Sequence, residues 1–266
     1  MNFRIISALV MRYIYLYTRT PMRLVELVFW PMVDLLIWGN LSVYIKEHGD
    51  AQLQSPATAL VAAMILWDVV FRAQQGVAVS FLEDVWTRNL LNVFVAPVRT
   101  SEYLAATFAV GILRICVTVV IMCVVALFLY QFNIMSLGLP LLPFVFNLLV
   151  TGWALGMIST ALILRWGQAV ESLAWAVPFF IQPFSAVFYP VSSIKPVWMQ
   201  SVALGLPTTH VFSGLREVMN EGTFNWNSFT YATLLNVAFM AVAGWIFTFM
   251  LNQTKKRGLL TKFATQ

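Results

Sequence analysis

Residues 137–164 form a run of 28 positions without one Asp, Glu, Lys, Arg or His. As a helix, that run would measure about 42 Å at 1.5 Å per residue, more than the ~30 Å hydrocarbon core of a bilayer. Backbone in hydrocarbon must satisfy its own polar groups, so the run predicts a membrane-spanning α-helix. Composition extends this reading to the whole chain: 60% of its 266 residues are hydrophobic and 10% are charged, against about 25% charged in soluble proteins. Six crossings of about 20 residues would leave only short loops, too little for a soluble domain of about 50 residues. Secreted, nucleic-acid-binding and ordinary cytosolic enzyme classes are set aside. The predicted fold class is an all-α polytopic membrane protein organised as a single transmembrane domain over 1–266.

The six expected spans cover residues 21–44, 57–80, 103–130, 137–164, 172–194 and 227–252. The opening residues 1–20 are apolar but carry Arg4, Arg12 and Arg19. At 100° per residue these and Arg23 share one face, opposite Phe3, Ile6, Val10, Tyr13 and Tyr17, the pattern of a helix lying in the membrane interface. Residues 196–216 are apolar too, but Gly205 and Pro207 divide them into pieces too short to cross, which predicts a re-entrant pair of short helices. With both termini inside, twelve of the sixteen Lys and Arg fall on the cytoplasmic side. That tally includes Lys262, and Lys46, Lys195 and Arg216 are left outside. The asymmetry predicts cytoplasmic termini by the positive-inside rule, so the net charge of +5 reports orientation before recognition.

The longest internal cytoplasmic connection, residues 81–97, alternates Glu83, Asp84, Arg88 and Asn89 with Val85, Leu90, Leu91 and Phe94 before Pro97. It predicts an exposed amphipathic helix suited to a partner's groove. Within the spans lie Asp34, Asp68, Arg72 and Arg114. Ionisable groups at that depth cost about 2.5–3.5 kcal/mol each on insertion scales, so they should be paired or face water. Asp68 and Arg72 can pair at i,i+4, which leaves Asp34 and Arg114 as an expected contact between spans one and three. Gly152-x-x-x-Gly156 is a weak signal for close helix approach. No catalytic constellation or metal site is expected: His48 and His210 belong to the outer side, whereas Cys116 and Cys123 lie in mid-span.

Several ordered segments carry a family resemblance. They are Arg19-Thr20-Pro21, Phe29-Trp30-Pro31, Asp34-Leu35-Leu36 and Trp38-Gly39, then residues 81–97, then Leu206-Pro207-Thr208-Thr209-His210 and Gly214-Leu215-Arg216-Glu217. Together they resemble the type-2 exporter permeases of the ATP-binding-cassette (ABC) transporters over essentially the whole chain. One departure is Leu206, where many members carry Asn before the proline. The resemblance implies a membrane permease subunit, not an enzyme, in the bacterial inner membrane. It would work as two copies with two copies of a separate ATPase, which would bind the ATP and Mg, while this chain binds no cofactor, metal or nucleic acid. It further implies that residues 1–20 are a connecting helix and 81–97 the coupling helix, with Glu83, Asp84, Trp86 and Arg88 as contacts to the ATPase. The residues agree in one respect: the chain contains no Gly-Lys dipeptide, so a G-x-x-x-x-G-K-[ST] phosphate loop is impossible. The cargo class left open is amphipathic: lipid, glycolipid, polysaccharide or drug. The competing reading is a self-sufficient secondary transporter or channel using Asp34, Asp68 and Arg114, although no internal repeat of the kind common in such folds is present.

Overall fold

The computed structural model describes residues 1–48 and 51–257, so Lys262 of the charge tally lies outside the described residues. The described chain is helical: α1 (Phe3–Thr18), α2 (Pro21–His48), α3 (Ala51–Trp86), α4 (Leu90–Val95), α5 (Thr100–Tyr130), α6 (Leu141–Trp166), α7 (Leu173–Ile181), α8 (Trp198–Leu204), α9 (Pro207–Glu221) and α10 (Trp226–Lys256). Five of these, α2, α3, α5, α6 and α10, are long and apolar enough to cross a membrane.

The centre of the bundle is α3. In the most apolar stretch of each helix, 89% of α3 is buried, against 22% of α2 and of α10. Small residues permit this. A Cβ on Gly76 would stand 2.4 Å from Gly111 Cα of α5. On the opposite side, a Cβ on Gly152 would lie 2.5 Å from Ala73 Cβ and one on Gly156 2.7 Å from the Gln74 carbonyl. The glycine pair of α6 is therefore the seat of α3. Between helices in lipid there is no hydrophobic drive, so close backbone approach and polar bonds hold the packing. The polar bonds join α6 to α10: Asn236 Nδ2 donates to Asn147 Oδ1 at 2.8 Å, and Thr151 Oγ1 donates to Asn236 Oδ1 at 2.7 Å.

Three expectations need correction. Residues 172–194 are not one continuous helix: α7 ends at Ile181 and is followed by 3-10 turns at Gln182–Phe184 and Val191–Ser193. Pro178, Pro183 and Pro190 explain the break, since each lacks an N–H and crowds the preceding turn. Residues 81–97 are not one exposed helix either. α3 runs on through Phe81–Val85 with those five residues buried, and the chain turns at Arg88 (φ 54°) before α4 begins. Finally, α1 is not held by the membrane surface alone, because Leu9 and Tyr13 are buried against the bundle.

The break within residues 196–216 does separate two short helices. Leu206 is extended (φ −97°, ψ 131°), as the residue before a proline prefers, and Pro207 opens α9. α9 runs five residues past the expected segment and stops where Gly222 adopts the left-handed conformation (φ 69°).

Candidate functional site

A cavity of about 600 Å³ is bounded by α2, α3 and α7 with the end of α1. Its lining on α3 runs from Met64 to Trp86, about 33 Å of helix and close to the thickness of a bilayer core. The walls are aromatic: Trp30 and Trp38 from α2, Trp67 and Phe71 from α3, Trp175 and Phe179 from α7. Phe71 and Phe179 meet edge to face at 5.2 Å, joining α3 to α7 across the cavity. Two charged clusters occupy this frame at different depths.

At mid-depth stand Asp34, Asp68 and Arg72, all lining the cavity. Arg72 Nε donates to Asp68 Oδ1 at 3.1 Å, and its Nη1 donates to Gln75 Oε1 at 2.7 Å. The predicted i,i+4 pair is thus present, with both side chains about 95% buried. Asp34 is half-buried and, among the described residues, makes no ion pair.

At the α1 end of the cavity, Glu83 and Asp84 are buried to 2% and 3% exposure. The expectation that both face outward is corrected, for each is engaged by cations of this same chain. Glu83 Oε1 lies 3.1 Å from Arg23 and 3.6 Å from Arg114, and the Arg114 guanidinium stacks 4.8 Å over the Tyr17 ring. Arg12 Nη2 donates to Asp84 Oδ1 at 2.5 Å, while the Tyr13 and Tyr103 hydroxyls donate to Oδ2 at 2.8 and 3.1 Å. Burial, and after it the Asp84 charge, push the Tyr13 phenol well above its ordinary value, so it stays protonated and remains a donor. The physical reason for the inward turn is enclosure: Phe81, Leu82 and Val85 are as buried as their acidic neighbours because α3 is surrounded here. A two-sided pattern was expected and the helix has no free side.

The expected contact of Asp34 with Arg114 does not form. Arg114 donates instead to the Gln75 carbonyl at 3.1 Å and faces Glu83. Trp86 is 42% exposed, and beyond it the turn at Arg88 and the end of α4 at Val95 lie on the surface. Sequence reasoning therefore separated correctly the local pair Asp68–Arg72 but missed Arg12, Tyr13, Tyr17, Arg23 and Tyr103 as members of the acidic clusters. The available signal was the arginine face of residues 1–23, read as the polar side of an interfacial helix and as orientation. Among the described residues no group of His, Cys, Asp and Glu could hold a metal.

The ABC-2 type transporter family matches this chain over residues 4–220, a stretch that contains the cavity and both clusters. The inner membrane transport permease YadH of Escherichia coli K12 is 25% identical over 186 residues, covering 68% of this chain and 69% of its own length. YadH of Shigella flexneri is similar to the same extent, 25% over 186 residues. With more than half its length matched, and a described chain that is helical and carries five potential spans, the chain belongs to the ABC-2 type transporter family as a transport permease.

Proposed function

We propose that this permease is the membrane-spanning half of an ATP-driven exporter in the bacterial inner membrane, with two copies enclosing the pathway and two copies of a separate ATPase docked below them. The observation that carries the reading is the aromatic cavity along α3, whose lining extends over about 33 Å of helix to the α1 end and carries two groups of charges. A conduit for an amphipathic cargo needs such a surface: apolar walls for the body of the cargo and polar groups at defined depths for its head. The four-fifths of the α2 and α10 apolar stretches left unburied by the single chain offer surface for lipid and for a second copy.

Six crossings with cytoplasmic termini remain the preferred topology. Residues 167–184 comprise three successive helical pieces that add up to about 27 Å of rise, enough for a broken fifth crossing beside the cavity. Broken helices at membrane depth are tolerated where protein buries them or water reaches them.

The coupling region is narrowed to the turn after α3 together with α4. Trp86 and Arg88 offer the outward contacts to the ATPase, while Glu83 and Asp84 hold the end of α3 against α1, α2 and α5. A push on the turn would then reach the cavity through α3 and, by way of Arg12, reach α1. The alternative of a secondary transporter using Asp34, Asp68 and Arg114 is weakened, because Arg114 pairs with Glu83 and bonds the Gln75 carbonyl, and forms no ion pair with either aspartate among the described residues.

The test is co-purification of a co-expressed ABC ATPase with wild type, Trp86→Ala and Val95→Asp, alongside substitutions at Lys46 and Glu47 at the other end of α2. Loss of an interface anchor costs about 2 kcal/mol, roughly thirtyfold in affinity. Retention of the ATPase by both inner variants would refute the placement of the coupling region, and export by a single permease copy would refute the dimer.

A further inference from the structure

We infer that the cavity selects a cationic amphiphile, a molecule with an organic ammonium-type head and an apolar body. The inference rests on the cavity being the transport pathway, and its basis is a charge imbalance at one depth. At the α1 end, Glu26 and Glu83 are matched by Arg23, which lines the cavity with them, and by Arg114 behind Glu83. At mid-depth, Asp34 and Asp68 share only Arg72. One negative charge is left over where the surroundings are least able to solvate it.

The unmatched charge coincides with unused bonding capacity. Asp68 is 3% exposed, and its Oδ2 has no hydrogen-bond partner, because Arg72 engages only Oδ1. Asp34 approaches from α2 with no ion pair among the described residues. Around these carboxylates stand the rings of Trp30, Trp38, Phe71 and Phe179. Aromatic faces attract cations most strongly when both are desolvated, and Trp is the best of them. An anionic head would meet two carboxylates with one arginine already committed, whereas a cation completes the set.

The probes are tetraphenylphosphonium and tetraphenylborate, ions of nearly equal size and shape but opposite charge. Their equilibrium binding is measured by dialysis against the purified full chain in zwitterionic nanodiscs, with empty nanodiscs subtracted. The expected result is saturable binding of the phosphonium at least tenfold tighter than of the borate. Asp34→Asn should weaken the phosphonium tenfold or more, and Asp34→Glu should restore it. Asp34 is the chosen site because it makes no ion pair, so the variant keeps the Asp68–Arg72 bond and the fold. Equal binding of the two ions, or an unchanged affinity in Asp34→Asn, would mean that a proton neutralises the pair, and the inference would be overturned. The readout needs no ATP and no ATPase. Failure here with intact ATP-driven export would remove the cargo class and leave the exporter reading standing, whereas cation binding without any ATPase engagement would remove the ATP-driven reading.

Discussion

Replacing Gly76 by alanine should destabilise this permease, although alanine is the better helix former. In the helix interior the exchange gains about 1 kcal/mol of propensity. Against that gain, the new Cβ would sit 2.4 Å from Gly111 Cα and 2.8 Å from its nitrogen, where carbon contacts settle near 3.5–4.0 Å. Both obstacles are backbone, so no rotamer relieves the clash and α3 and α5 must part by roughly 1 Å. Nor can α3 retreat, because Gly152 and Gly156 of α6 already rest on Ala73, Gln74 and Val77 behind it. Overpacking of this kind costs about 1–3 kcal/mol, and the blocked retreat puts Gly76→Ala at the upper end, about 2 kcal/mol net of propensity. That corresponds to a fall of roughly 4–8 °C in the midpoint for a chain of this size. The assay is the midpoint for loss of the folded peak in fluorescence-detected size exclusion after heating, in one detergent. Two controls sharpen it: a Cβ on Gly111 would lie 3.4 Å from Gly76 Cα, an ordinary contact, and one on Gly244 would meet nothing within 4 Å. Gly111→Ala and Gly244→Ala should be neutral or stabilising. If Gly76→Ala melts with these two, the close crossing of α3 and α5 is not what fixes the centre of the bundle.

Asp84→Asn should lower stability by about 2 kcal/mol, because it discharges a buried carboxylate that accepts from Arg12, Tyr13 and Tyr103; the same heating assay reads it, and Arg12→Gln should cost less since Arg12 is one-third exposed. Asn236→Leu should cost about 1 kcal/mol by removing the α10 side of its bonds with Asn147 and Thr151, measured as a shift in SDS-induced unfolding. The purified chain alone should hydrolyse no ATP above an empty-detergent blank, and contaminant-free hydrolysis would contradict the division of labour proposed here.

Much of the fold was legible because lipid leaves a chain few choices. A run such as 137–164 has to become a helix, and α6 covers most of it. Pro207 suits the first position of a helix and Leu206 before it is extended, and the Asp68–Arg72 spacing makes a pair within a single helix. Each of these depends only on neighbours within a turn or two. The same locality explains the break after Ile181, since Pro183 lacks the N–H that a continued helix would use.

The direction in which Glu83, Asp84 and Arg114 point was decided elsewhere. A helix pattern gives the face on which a residue sits, not what lies against that face. Because α3 is enclosed on all sides, a polar residue there meets protein and not solvent, and its partner can be any cation the bundle carries to the same depth. Arg23 and Arg114 reach Glu83 from α2 and α5, at sequence separations of 60 and 31, and Arg12 reaches Asp84 across 72. Charge pairing in a membrane is thus compelled by the cost of leaving a charge alone, which the sequence already stated for Asp34, Asp68, Arg72 and Arg114. Which charges pair, and which carboxylate at mid-depth is left over, depends on helix order and rotation, and those are fixed only when all the helices pack.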